Sequence, residues 1–279
     1  MQLPLTRAIV PSVELLDEVG STNTELVARA SAGARAGGTP LEHAPLEHFT
    51  VLATTNQTAG RGRLGRTWVA PPGTTIAVSV LIAPPGAALD RLGWVPLLAG
   101  LAMCRAVRGL LPESAGEAER VVGLKWPNDV QVGGAKVCGI LAEVVPGATV
   151  PVSSAVVVGA GLNLTMTAEQ LPVPTATSLT IEGATPDELV DRALAAYLGE
   201  LRGLVDAHAA AAFDADAGLR AAVLAECTTI GAEVRVERPE GELRGRAVDI
   251  DSTGRLVIDT GGTRVAVAAG DVTHVRPAG

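Results

Sequence analysis

Lys125-Trp126-Pro127-Asn128-Asp129-Val130-Gln131-Val132-Gly133-Gly134-Ala135-Lys136-Val137-Cys138-Gly139 contains the only two lysines of this 279-residue chain; the other twenty basic side chains are arginine. A chain that uses arginine wherever a surface charge suffices marks these two positions as needing an ammonium. Lysine is a compact point charge on a flexible stem, whereas arginine is a rigid planar fork suited to bidentate partners. Chance clustering of two surface lysines is the competing account. Strand signals at Asp129 to Val132 and Ala135 to Val145 meet at Gly133-Gly134, a pair suited to a tight hairpin turn. The stretch therefore reads as an active-site hairpin within a sheet.

Outward from the hairpin, Val121 to Lys125 and Ser153 to Gly161 read as neighbouring strands, as do Thr50 to Thr55 and Thr74 to Ile82. Leu89 to Leu111 carries apolar residues at helical spacing and stops at Pro112, which predicts one long core helix. Ser21-Thr-Asn-Thr-Glu25 opens another helix, with Ser21 or Thr22 as cap and Glu25 completing a capping box. Ser31 to His48 has no period and reads as a loop; further helices are expected near Pro186 to Ala207 and Phe213 to Glu226. From Thr228 the pattern changes to short alternating stretches between turns at Pro239-Glu-Gly, Asp251-Ser-Thr-Gly and Thr260-Gly-Gly. The expected organisation is a main domain over 1–227 and a small β-barrel over 228–279, near the lower size limit for standing alone.

Composition excludes several classes of function. At 47% apolar residues the chain fills a real core, but aromatics are only 2%, so aliphatic side chains must pack it. A net charge of −8 argues against a nucleic-acid or membrane surface. Cys104, Cys138 and Cys227 are widely spaced with no CxxC pair, which fits a reducing compartment and neither a disulfide framework nor a zinc site. The N-terminus lacks an apolar signal core and no run reaches membrane-span length, so a cytoplasmic location is expected.

Three motifs carry chemistry. In Gln57-Thr-Ala-Gly-Arg-Gly-Arg-Leu-Gly-Arg66, alternating glycines let backbone N–H groups approach an anion while three arginines neutralise it. It lacks the Gly-Lys-Ser/Thr ending of a phosphate-binding P-loop and the spacing of a dinucleotide fingerprint. A basic RNA-binding tract is the bland alternative, although only Trp68 supplies an aromatic. In Lys125-Trp-Pro-Asn-Asp129, proline fixes a turn that holds Asn128 and Asp129 outward, as a station for a metal, phosphate or base edge. In Gly159-Ala-Gly-Leu-Asn163 two glycines allow a ligand close to the backbone and Asn163 offers donor and acceptor; a bulged strand end would look the same.

The order Ser21-Thr-Asn23, Gln57-x-x-Gly-Arg-Gly-Arg63, Lys125-Trp-Pro-Asn-Asp129, Lys136-x-x-Gly-Ile-Leu141 and Gly159-x-Gly-Leu-Asn163 closely resembles the biotin protein ligases. Three of the chain's four asparagines fall in these motifs, which adds to the match. The resemblance implies an α/β (α+β) domain of the class II aminoacyl-tRNA-synthetase-like kind, with a mixed, largely antiparallel sheet, followed by an SH3-like β-barrel. It also implies a two-step ligase. Biotin and Mg-ATP give biotinyl-5′-AMP, and the ε-amine of a lysine on a biotin carboxyl carrier domain, of an acyl-CoA or pyruvate carboxylase, displaces AMP. Only twenty residues precede Ser21, so the DNA-binding domain of the family's bifunctional members is expected to be missing.

Carried over by position, the resemblance assigns biotin to Ser21, Thr22, Asn23, Gln57, Gly60, Arg61, Gly62, Arg63, Lys136, Gly139, Gly159 and Gly161. ATP falls to Arg61, Arg63, Trp68, Lys125, Asn128 and Asn163, and Mg2+ to Asp129, with no tightly bound organic cofactor. Lys136, Arg61 and Arg63 are the expected catalytic cations. Val137-Cys138 departs from the common Leu-Ala, and Asn56 stands where bulkier residues occur. The loop Gly60 to Arg66, with few apolar anchors, is expected to order on ligand binding. Two alternatives stay open: a lipoate or octanoyl ligase of the same fold, and a non-enzymatic RNA-binding adaptor.

Overall fold

The computed structural model describes residues 1–10, 12–35, 46–84, 89–113, 121–146, 154–216, 218–238, 241–268 and 271–274. In chain order the elements are α1 (Pro4–Ile9), β1 (Glu14–Leu16), α2 (Thr22–Arg35), β2 (Val51–Thr54), β3 (Thr75–Ile82), α3 (Val95–Leu110), β4 (Val122–Lys125), β5 (Asp129–Val132), β6 (Ala135–Val144), β7 (Val156–Asn163), α4 (Leu189–Ala210), α5 (Leu219–Glu226), β8 (Glu233–Arg238), β9 (Gly241–Ile250), β10 (Leu256–Asp259), β11 (Arg264–Val267) and β12 (Asp271–His274).

The first seven strands form one sheet in the order β1-β2-β3-β7-β6-β5-β4. Only the β1–β2 pair is parallel, so the sheet is mixed and largely antiparallel, as expected. Strand alternation sends Ile76, Val78, Val80 and Ile82 of β3, with Val158, Ala160 and Leu162 of β7, into the main core, which α3 and α4 cover. The opposite face carries a smaller apolar cluster, in which Leu26 of α2 packs on Leu52, Leu81 and Val157. Beyond the N-terminus of α2 that face is open and lined by polar side chains.

Some boundaries differ from the sequence reading, for physical reasons. The helix predicted from Leu89 starts as a 3-10 turn (Leu89–Trp94), and the α-helix begins only at Val95. Pro96 sits in its first turn, where its missing N–H is harmless; further inside a helix its ring would clash with the preceding turn. α2 runs to Arg35, five residues into the predicted loop, whose residues 36–45 lie outside the described ones. Ser21 caps α2, accepting from Thr24 N, but Glu25 then falls one residue too late for a capping box and pairs with Arg29 instead. α1, β1 and β12 are too short to carry a period and were not foreseen.

The C-terminal strands form a separate antiparallel sheet, with β8 to β11 as a meander and β12 returning beside β8. Its turn at Asp251 to Gly254 docks on the main domain. Trp94 Nε1 donates to Ser252 O at 2.8 Å and Trp126 Nε1 to Gly254 O at 3.1 Å. Gly254 has φ +86°, and a Cβ there would lie 3.2 Å from Gly93 O, so both conformation and space require glycine. Behind the turn, Trp126 N donates to Thr229 Oγ1 at 2.9 Å, and Arg220 pairs with Asp249. Two tryptophans thus tie the β module to the start of α3 and to the turn after β4.

Replacing Trp94 with Phe keeps an aromatic body but leaves the Ser252 carbonyl without its donor. The expected cost is about 1–3 kcal/mol, read in thermal unfolding as a midpoint several degrees lower. An unchanged midpoint would show that the contact adds no stability.

Candidate functional site

Strand register builds the floor of the open face. One cross-strand row runs Ala77, Gly161, Gly139, Asp129, Lys125 over β3, β7, β6, β5 and β4, and beside it lies the row Ser79, Gly159, Leu141. Small residues in the middle of both rows leave room above the sheet. Two of the chain's own side chains take part of it. A Cβ on Gly159 would fall 2.1 Å from Asn23 Oδ1, and one on Gly161 would fall 2.9 Å from Trp68 Cε2. These glycines were read as admitting a ligand to the backbone; in the structure they admit Asn23 and Trp68, which in turn line the cavity.

That cavity has a volume of about 360 Å³, within the usual range for small-molecule sites. Its walls come from the N-terminus of α2, the arginine loop and the turn after β4. Of the residues assigned from sequence, Ser21, Thr22, Asn23, Gln57, Arg61, Gly62, Arg63, Trp68, Lys125, Asn128, Asp129, Lys136, Gly139, Gly159 and Gly161 all line it. Two do not. Gly60 is buried behind the loop, where a Cβ would meet Trp68 O at 2.5 Å. Asn163 is buried at the end of β7 with its amide donating to Thr177 O at 2.8 Å.

Lys136 reaches the cavity through a β-bulge. β5 and β6 pair Asp129 with Gly139 and Val130 with Cys138, then shift so that Gln131 faces Lys136. Regular alternation would place Lys136 on the face of Cys138, inside the core. The extra residue leaves both Val137 and Cys138 buried and returns Lys136 to the open face. There its Nζ lies 2.5 Å from Asp129 Oδ1 and 5.7 Å from the Trp68 ring centroid. The Trp68 indole N–H is buried without a protein acceptor.

The two loop arginines face different ends of the cavity. Arg61 Nη1 lies 2.8 Å from Glu143 Oε1 and 3.3 Å from Thr24 Oγ1, beside the start of α2. Arg63 Nη1 donates to Asn128 Oδ1 at 3.0 Å, beside the turn after β4. Burial, the largest influence, pushes the Arg63 guanidinium below its usual pKa; Asp129 opposes this and Arg66 adds to it. Arginine keeps its proton in proteins, so the direction marks a desolvated cation that an anion would relieve. The cavity lining carries five cationic side chains, Arg61, Arg63, Arg66, Lys125 and Lys136, and one carboxylate, Asp129.

Under α2 a second network sets polar directions. Thr22 N donates to Gln57 Oε1 at 2.9 Å with Thr22 Oγ1 3.2 Å from the same oxygen, and Ser79 Oγ lies 2.8 Å from Thr22 Oγ1 and 2.6 Å from Asn23 Oδ1. Ser79 and Glu143 were missed in the sequence. Their signals were a single hydroxyl in the middle of an apolar strand and a carboxylate on the same face as Gly139 and Leu141. Among the described residues no three His, Cys, Asp or Glu side chains gather as a metal cage, and no helix is long and apolar enough to cross a membrane.

Comparison with known proteins agrees with this architecture. Residues 39–163 match the Biotin/lipoate A/B protein ligase family and residues 229–275 the Biotin protein ligase C terminal domain. A "Biotin--[acetyl-CoA-carboxylase] ligase" of Mycobacterium tuberculosis is 40% identical over 266 residues, covering 95% of this chain and 89% of the relative. One of the same name from Paracoccus denitrificans is 33% identical over 223 residues, covering 77% and 86%. The fold is similar to that of the biotin protein ligase from Aquifex aeolicus solved in complex with biotin and ATP, with a TM-score of 0.67 at 24% identity, covering 95% of this chain and 99% of that one. With two thirds of its length and more aligned at such identity, the chain belongs to the biotin protein ligase family.

Proposed function

We propose that the protein is an ATP-dependent ligase that activates biotin as biotinyl-5′-AMP and transfers the acyl group to one lysine of a biotin carboxyl carrier domain. The observation that carries this reading is a cavity whose polar head pocket and cation-rich end meet at Lys136. Adenylation sets the substrate carboxylate against the α-phosphate of ATP. Two unit charges 4 Å apart repel by about 4 kcal/mol at an effective dielectric of about 20, so cations must span both.

Each end has its residues in this reading. Thr22, Asn23 and Gln57 hold the ureido head of biotin, and the carboxylate reaches towards Lys136 and the arginine loop. Lys125, Asn128 and Arg63 serve the nucleotide, with Trp68 over the junction. Lys136 leaves Asp129 and bridges the attacking carboxylate oxygen and the α-phosphate as pyrophosphate departs. In the second step the carrier amine attacks the acyl carbon, AMP leaves with the bonding electron pair, and the amine loses a proton. As the single carboxylate in the lining, Asp129 fits a Mg2+ ion held mainly by ATP phosphates, since Mg2+ commonly takes one or two carboxylates plus phosphate oxygens. The ion would neutralise phosphate charge. Residues 1–227 form the catalytic domain and 228–279 the accessory β module.

The lipoate reading loses ground because residues 229–275 match a biotin protein ligase domain specifically. The RNA-binding reading loses ground because Arg61 and Arg63 are folded onto the chain's own side chains at the cavity instead of lying along an open surface.

Lys136→Ala should lower biotin-dependent pyrophosphate release on the order of 10²-fold or more, the usual loss when a main electrostatic stabiliser is removed, with thermal stability retained. Near-normal turnover would take Lys136 out of the mechanism. Gly159→Ala tests the other end. Its methyl must displace the Asn23 amide, so biotin affinity by calorimetry should fall about tenfold or more, the scale of losing a buried hydrogen bond. Unchanged affinity would show that Asn23 does not hold biotin.

A further inference from the structure

Glu143 stands near the end of β6, on the same face as Gly139 and Leu141, with its side chain 23% exposed. Its two carboxylate oxygens have separate partners. Oε2 accepts from Asn23 Nδ2 at 3.0 Å, and Oε1 lies 2.8 Å from Arg61 Nη1. We propose that Glu143 is a positioning residue that couples the two halves of the site: one carboxylate fixes the orientation of the Asn23 amide and anchors Arg61 of the glycine–arginine loop. The inference rests on the biotin ligase reading above and extends it to a residue that does not touch the cavity.

The amide orientation follows from donor and acceptor counting. Asn23 Nδ2 has two protons, and its two neighbours, Leu141 O at 3.0 Å and Glu143 Oε2, can only accept. A flipped amide would press its carbonyl oxygen against both. Asn23 Oδ1 is therefore held over Gly159, 2.6 Å from Ser79 Oγ. Oδ1 can only accept, so the single Ser79 hydroxyl proton goes to it. The 2.8 Å pair of hydroxyls still needs a proton, so Thr22 donates to Ser79 Oγ and offers the cavity lone pairs only, while Gln57 Oε1 accepts from Thr22 N. The hydrogen-bond sense of the head pocket thus starts at Glu143 and passes through Asn23 and Ser79 to Thr22. Leu141 O favours the same orientation, and Glu143 adds the charged acceptor, which makes the stronger of the two bonds.

The anchoring half is a matter of charge. Of the loop's three arginines, Arg61 is the one paired with Glu143, while Arg63 faces Asn128. Glu143 therefore offsets one cation at the head-pocket end, while at the reacting end a single carboxylate, Asp129, stands with Lys136. An exposed ion pair alone contributes little. This carboxylate is held in place by Asn23, so Arg61 meets a fixed partner instead of a mobile one.

The test uses the full-length protein, with biotin, ATP and limited trypsin digestion as probes, and compares Glu143→Ala with Glu143→Gln. Both remove the charge, so both should speed cleavage after Arg61 severalfold. They differ at the amide. Glutamine retains a carbonyl acceptor for Asn23 and should keep the biotin KM within about threefold. Alanine leaves the Asn23 N–H without it and should raise the biotin KM about tenfold or more, with the ATP KM within about twofold. The proposal is overturned if alanine leaves the biotin KM and the Arg61 cleavage rate as in wild type. It is also overturned if in both variants the biotin and ATP KM values rise together while kcat and the melting temperature fall, which marks general destabilisation. A wild-type protein without biotin-dependent pyrophosphate release would sink the ligase reading instead, and the cleavage comparison would still decide whether Glu143 anchors the loop.

Discussion

The register between β6 and β7 is the constraint on which the site depends. Pairing Gly139 with Gly161 and Leu141 with Gly159 gathers three glycines beside one leucine in the middle of a seven-stranded sheet. Sheets rarely tolerate such a patch, since glycine in a strand gives up packing and adds backbone entropy loss. Here the missing side chains are replaced from outside the sheet, by Asn23 from the start of α2 and Trp68 from the end of the arginine loop. A slip of one residue would turn the apolar residues of β6 and β7 outward and bury the glycines in the core. The same packing that makes the main core therefore holds the cavity floor in place.

Charge is arranged against the chain's overall balance. The protein is acidic as a whole, yet its cavity lining carries five cations and one carboxylate. A concave, partly desolvated cluster of one sign concentrates its field towards the opening. The surrounding acidity limits nonspecific attraction of polyanions, so small phosphate-bearing molecules that fit the cavity are favoured over nucleic acid.

Much of this was legible in the sequence, because the chemistry-bearing residue types are rare in this composition. Two lysines and four asparagines cannot scatter far, and strong apolar runs at β3 and β7 announced themselves by their length. What stayed hidden depended on geometry that periodicity cannot express. The bulge at Val137-Cys138 reverses the facing of Lys136, and strict alternation from Gly139 would have buried that lysine. Asn163 reads as a ligand residue, yet at the end of β7 its amide donates to Thr177 O and it lies outside the cavity lining. Ser79 looked like a neutral strand residue but sits at the junction of Thr22 and Asn23. The short α1 and β1 owe their structure to tertiary partners: α1 through the Asp191 carboxylate, which accepts from Leu5 N and Thr6 N, and β1 through pairing with β2.

The contact of Trp126 with Gly254 has a thermodynamic consequence. Trp126 adjoins Lys125, and its indole and backbone N–H both bond to the C-terminal module. Any occupant that tightens the turn between Lys125 and Asp129 is thereby linked to the folding equilibrium of a sheet it never touches, by up to the binding free energy available at its concentration. The module then acts as a reporter of site occupancy, with slower amide exchange across β8 and β9 when the cavity is filled. Conversely, loosening of that sheet would be felt first at the lysine-bearing turn, so damage far along the chain would surface as weakened ligand binding before it surfaced as unfolding.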